Sequence, residues 1–315
     1  MKLGLVLAGG GGKGAYQIGV WKALREFGID KYIQAVSGTS VGALNAILFL
    51  QQDIKAAERL WLAISKEKIL PTGNFDLVKR GIFLTLGSKN IDFVRKYIPK
   101  TLEQGNISRL GLIEIMDNFI DFSIITKSLK SCYATCSEIP SLKPKYFKLN
   151  NYNQQEIRDI LLATSAIPMI YESEEIETRK YLDGAMADNV PIQPLYGEGC
   201  DIIIVVHLSK DSAIDRSSFP NAKLIELIPS EMDQGGLSAV LDFSPEGAKR
   251  RIKQGYDDAK NLFEPIIELA RYQVVKTPQE LVISTGKNMV KASSKIKNII
   301  VNAYRKKLKR KMKRV

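Results

Sequence analysis

Apolar positions along this chain follow two rhythms in alternation. Short apolar runs at residues 3–8, 33–36 and Ile202–Val206 are too brief for ordinary helices and read as buried strands. Residues 131–136, 145–149 and 223–228 are further strand candidates. Between them the spacing lengthens to that of a helix packed on a sheet. From Ala15 onward, Ile18, Val20, Trp21, Leu24 and Phe27 fit such a helix. Residues 41–50 form a nearly unbroken apolar helix, and residues 53–64 place Ala56, Ala57, Leu60, Trp61 and Ile64 on one face. Strand and helix in alternation predict a largely parallel sheet covered on both sides. Residues 71–100, interrupted by Gly73, Gly81 and Gly87, read as packed loop, with a lid as the other use. No internal repeat is visible, and no run reaches the roughly 18 apolar residues of a membrane span.

Two strand-to-helix junctions carry the chemistry. The first holds Gly9, Gly10, Gly11, Gly12, Lys13 and Gly14, where glycines let a ligand approach unpaired N–H groups at a helix start. Three anions fit such a turn. A dinucleotide suits the spacing Gly9-x-Gly11-x-x-Gly14, but the expected acidic residue about twenty positions on is replaced by Ser37-Gly38. A nucleoside triphosphate wants Gly-Lys followed by Ser or Thr, whereas Gly14 follows Lys13. The third is the oxyanion formed when an ester or amide carbonyl is attacked, which needs a nucleophile. The second junction supplies one. Gly38-Thr39-Ser40-Val41-Gly42 matches G-x-S-x-G, with a strand before it and an apolar helix after it.

Ser40 needs a base. The only histidine, His207, ends an apolar run, and the order Ser40, Asp183, His207 matches that of α/β-hydrolases, although Ser40 comes much too early in the chain for that fold. Asp183 is the stronger candidate. It follows Tyr181 and Leu182 and precedes Gly184 and Ala185, so a carboxylate ionised at neutral pH projects from a strand end.

These motifs together resemble the patatin-like phospholipases. The glycine run, the elbow and Asp183-Gly184-Ala185 occur in that family's order, and Ala163-Thr164-Ser165-Ala166-Ile167-Pro168, Leu241-Asp242-Phe243-Ser244 and Gly255-Tyr256 resemble further segments of it. The resemblance covers about residues 2–261. It implies a three-layer α/β/α sandwich and a Ser-Asp dyad that hydrolyses lipid acyl esters without metal or other cofactor. Ser40 would be the nucleophile, Asp183 the base, and Gly9 through Gly14 the oxyanion loop. Ala185 stands where many members carry a third glycine. The rival reading is a nucleotide- or phosphate-binding module in which Ser40 is structural.

Composition narrows the setting. The 315 residues, 45% hydrophobic, can bury a large core with a small appendage. The expected division is a hydrolase domain over residues 1–263 and a helical extension with a basic tail over 264–315. Three cysteines, an odd set in a chain this long, favour reduced thiols and the cytoplasm; Cys132 and Cys136 with one histidine make a poor zinc site. Net charge is +12, and the eight basic residues within 305–314 leave only +4 elsewhere. Upstream, Ile296, Ile300, Tyr304, Leu308 and Met312 recur every fourth residue. A basic helix with an apolar stripe suits the surface of an anionic membrane, where a lipid substrate would lie, or else is a solvated tail. Nucleic acid is not expected, since no zinc-finger pattern or aromatic stacking motif accompanies the basic run.

Overall fold

The computed structural model describes residues 1–69, 107–210, 214–231 and 237–280. The loop or lid expected at 71–100 and the stripe expected at 296–312 lie outside the described residues. The chain divides into two compact units, Met1–Ala259 and Lys260–Val315.

Among the described residues, the first unit is built on one eight-stranded sheet. Its strands are β1 (Leu3–Leu7), β2 (Ile33–Thr39), β3 (Ser131–Ile139), β4 (Lys143–Lys148), β5 (Glu174–Ile176), β6 (Arg179–Asp183), β7 (Ile202–Val206) and β8 (Lys223–Leu227). Their order is β5-β6-β3-β2-β1-β7-β8, with β4 also paired to β3. The run β3-β2-β1-β7-β8 is parallel throughout. Every apolar run read as a strand is one, and β7 has the expected ends. β2 runs on through Ser37, Gly38 and Thr39, because these small residues are still paired to β3.

Side-chain alternation gives the sheet two apolar faces. Leu5 and Leu7 meet Ile18, Trp21 and Leu24 of α1 (Ala15–Glu26) and Phe49 of α2 (Val41–Gln51). Val6, Ala35, Ile203 and Val205 face the other way, onto Ile192 and Leu195 at the helix Gln193–Gly197. The product is a three-layer α/β/α sandwich. The helix expected at 53–64 is α3 (Ile54–Ala63), which starts where the Asp53 side chain accepts the Ala56 N–H at 2.9 Å.

The antiparallel part was not legible. β4 occupies one edge of β3 from Tyr133 to Glu138, so β2 and β6 have to share the other edge. β2 pairs with β3 up to Thr39 opposite Thr135, and β6 takes over with Asp183 opposite Cys136. Strands arriving from opposite directions therefore end beside each other. No helix among the described residues is long and apolar enough to cross a membrane.

Candidate active site

Ser40 stands between β2 and α2 with φ 54° and ψ −125°, a backbone conformation that residues with a Cβ rarely adopt. The strand cannot turn directly into the helix otherwise, and the flanking glycines make the turn possible. A Cβ on Gly38 would lie 2.3 Å from the Gly42 backbone, and one on Gly42 would lie 2.1 Å from the Leu7 carbonyl oxygen. The Ser40 N–H donates to Thr164 Oγ1 at 2.9 Å, and the Thr164 hydroxyl donates onward to the Thr135 carbonyl. Thr39 Oγ1 donates to the Asp188 carbonyl at 2.9 Å. Val41 is buried as the first residue of the helix.

The edge shared on β3 brings Asp183 to this turn. Its carboxylate lies beside the Ser40 hydroxyl and accepts a hydrogen bond from the Ala185 N–H at 2.9 Å. Burial pushes its pKa from 3.8 up to about 6, while the Ala185 N–H and the nearby Ser40 hydroxyl pull it back. The Asp183 main chain is held on both sides, by its N–H to the Ala166 carbonyl at 2.9 Å and by Ser137 Oγ donating to its own carbonyl at 2.8 Å. Gly184 is glycine for want of space, since a Cβ would meet the Thr135 carbonyl at 2.2 Å. The Ala163–Pro168 segment thus supports both groups, Thr164 through the serine and Ala166 through the aspartate.

The glycine loop lies against the same turn. A Cβ on Gly9 would sit 3.4 Å from Ser40 Cβ, and one on Gly14 would sit 2.7 Å from Val41 Cγ2. Gly11 has φ 56°, and Gly11–Gly14 form a 3-10 turn that leads into α1. No hydrogen bond among the described residues occupies the N–H groups of Gly10, Gly11 and Gly12, the arrangement expected of an anion-receiving helix start. Lys13 contributes its N–H to the Gly10 carbonyl at 3.2 Å and lines a shallow cleft with Tyr16, Leu208 and Lys210.

Several supporting residues escaped the sequence reading. Gln17 Nε2 donates to the Ala8 carbonyl at 2.7 Å, and Asn45 Nδ2 donates to the Gly14 carbonyl at 3.0 Å and to Gln17 Oε1 at 2.7 Å. Trp61 Nε1 completes the set by donating to Asn45 Oδ1 at 3.0 Å. This buried network clamps both ends of the loop to the helix that follows Ser40. The available signal was a single amide within each of two otherwise apolar helix faces. Asn189 pairs with Gly9 in both directions, Gly9 N–H to the Asn189 carbonyl and Asn189 Nδ2 to the Gly9 carbonyl, each at 3.3 Å.

His207 is placed elsewhere. It lies at the end of β7, with β1 between that strand and β2, and its Nε2 is 3.1 Å from Glu226 Oε2 on β8. Burial lowers its pKa against the opposing pull of Glu226. Cys132, Cys136 and Cys200 are free and buried, and burial raises the Cys132 thiol to about 12. Among the described residues no group of three or more His, Cys, Asp and Glu side chains is arranged to hold a metal ion.

Residues 5–196 match the family model described as patatin-like phospholipase, a span that takes in the glycine loop, the elbow and Asp183. The chain belongs to the patatin-like phospholipase family. Lysophospholipase nte1 of Aspergillus terreus is 28% identical over 219 residues, and lysophospholipase NTE1 of Cryptococcus neoformans 26% identical over 207. Each match covers 65% of this chain but only 12% and 11% of those proteins, so this patatin-like chain spans a small part of the curated relatives' length. Among solved structures, VipD from Legionella pneumophila aligns with a TM-score of 0.44 at 16% identity, over 84% of this chain and 67% of that one.

Proposed function

We propose that this chain hydrolyses fatty-acyl ester bonds of lipids through a Ser40-Asp183 dyad and an acyl-enzyme. The observation that carries the reading is the placing of Ser40, on its strained turn, beside a buried carboxylate whose pKa of about 6 suits a base at neutral pH. Asp183 takes the Ser40 proton as Oγ attacks the ester carbonyl. The negative charge that develops on the carbonyl oxygen is received by N–H groups of Gly10, Gly11 and Gly12. The tetrahedral intermediate collapses, the alcohol leaves with the proton from Asp183, and the acyl group stays on Ser40. A water then gives its proton to Asp183 and attacks the acyl carbon, the second tetrahedral intermediate expels Ser40 with that proton, and the fatty acid departs. None of these steps calls on a cofactor.

The name shared by the fungal relatives makes a lysophospholipid the first substrate to offer. Mass spectrometry of a mixed lipid extract incubated with the wild type should show free fatty acids and deacylated headgroup products, and Ser40→Ala should show neither. A fluorophosphonate probe should label Ser40 and no other residue. A chain that neither labels nor releases fatty acid, yet binds a nucleotide or inorganic phosphate at the glycine loop, would establish the phosphate-binding reading instead.

A further inference from the structure

Arg251 is a buried cation that the dyad chemistry does not use. It belongs to the helix Pro245–Glu280, and its side chain is only 4% exposed. A guanidinium in such a place is tolerated only when its donors are matched. Here Nη1 donates to the carbonyl oxygens of Asp242 at 2.8 Å and Gly12 at 3.3 Å, while Nη2 donates to Asp242 Oδ2 at 2.9 Å and to the Ala239 carbonyl at 3.3 Å. The acceptors belong to two segments, the glycine loop and the strap of residues 239–242 lying across it. Their closeness is set by missing side chains, because a Cβ on Gly11 would come within 2.3 Å of the Val240 carbonyl and one on Gly12 within 2.1 Å of the Asp242 carbonyl.

A second pair of glycines lets the guanidinium reach the loop. A Cβ on Gly19 of α1 would be 1.9 Å from the Ile252 carbonyl, and one on Gly255 would be 2.0 Å from the Tyr16 carbonyl. The two helices therefore cross backbone to backbone, and Tyr16 adds a hydrogen bond to Asp258 at 3.0 Å. One turn before that crossing, Arg251 reaches the loop that precedes α1.

We propose that Arg251 is a positioning residue for the oxyanion loop, fixing the direction of the Gly11 N–H through two linked peptide planes. The Gly12 carbonyl that Arg251 holds shares its rigid peptide with the Lys13 N–H, which donates to the Gly10 carbonyl at 3.2 Å. The Gly10 carbonyl in turn shares its peptide with the Gly11 N–H, pointing the opposite way. With Gly11 at φ 56°, the loop has little intrinsic preference for this conformation over others open to glycine. Arg251 supplies the preference. It touches neither substrate nor the reacting atoms.

The inference rests on the hydrolase reading, and the test keeps the two apart. Arg251→Lys retains the charge but cannot reach four acceptors at once, and Arg251→Ala removes the group. In folded variants kcat on a soluble short-chain ester should fall about tenfold to a hundredfold while KM stays within about threefold, because the donor acts on the charge of the transition state. Added methylguanidinium should restore part of the turnover of Arg251→Ala. A folded Arg251→Lys protein with wild-type kcat overturns the proposal, and that variant decides the matter if Arg251→Ala does not fold. If the wild type itself neither hydrolyses esters nor reacts with a fluorophosphonate, the hydrolase reading falls, and amide hydrogen exchange decides the positioning role. Faster exchange confined to the glycine loop and strap of Arg251→Lys supports it, and exchange equal to wild type overturns it.

Discussion

In the proposed dyad Asp183 meets two opposed demands, since burial beside Ser40 would strengthen it as a base and also penalises its charge. Its folded pKa of about 6 lies above the value of 3.8 for an exposed aspartate. The stability it contributes is therefore fully present below about pH 4 and is lost as pH rises through about 6, since the folded state holds the proton longer. Two units correspond to roughly 3 kcal/mol of strain carried by the ionised site at pH 8. Asp183→Asn is expected to abolish ester hydrolysis and to raise the unfolding midpoint at pH 8, with the gain vanishing near pH 4; calorimetry at both pH values checks the sign. For the wild type, kcat should fall about tenfold per pH unit below 6. On this reading His207, paired with Glu226, stands outside the chemistry, and a folded His207→Asn protein should keep most of its activity. A thousandfold loss in that variant would restore the triad. Thr164→Val leaves the buried Ser40 N–H without an acceptor and should cost about 1 to 3 kcal/mol in denaturant unfolding.

At the level of elements, the site depends on which backbones touch. The turns at Gly9 to Gly14 and Gly38 to Gly42 were legible because each motif encodes its own local geometry, a strand that must change direction within a few residues. The β6 connection was not. Asp183 could be read as a carboxylate at a strand end, but its place beside Ser40 depends on β4 filling one edge of β3 and leaving β2 and β6 end to end on the other. The polar clamp of Gln17, Asn45 and Trp61 was equally hidden, because an amide on an apolar face says nothing of the partner it will find. Contact distances now rank the loop glycines. On Gly10 a Cβ would meet only the Leu208 side chain, at 2.9 Å from Cδ1 and 3.1 Å from Cβ, whereas on Gly11 it would meet the Val240 carbonyl at 2.3 Å with φ 56° to maintain. Gly11→Ala should therefore lower turnover about a hundredfold and Gly10→Ala much less, as steady-state kinetics on folded variants can measure.

For the whole molecule, we propose a hydrolase domain over residues 1–263 and an extension over 264–315 that concentrates the enzyme on anionic lipid. Eight basic residues within 305–314, each worth about 1 kcal/mol near such a surface, set an upper bound of several kcal/mol. A chain ending at Asn298 should keep its turnover on a soluble ester yet bind anionic vesicles more weakly, with the gap closing as salt screens the charges. Co-sedimentation at low and high salt measures it, and equal binding in both conditions makes the tail a solvated extension. The sequence by itself determined the alternation of strand and helix, the two glycine turns, the candidate residues Ser40 and Asp183 and the excess of charge at the carboxyl end, because each is written in neighbouring residues. Only the tertiary structure decided that Asp183 meets Ser40 and His207 does not, and that Arg251 reaches the glycine loop from 239 residues away. Those outcomes follow from the sharing of strand edges and the close crossing of helices, which depend on contacts between distant segments.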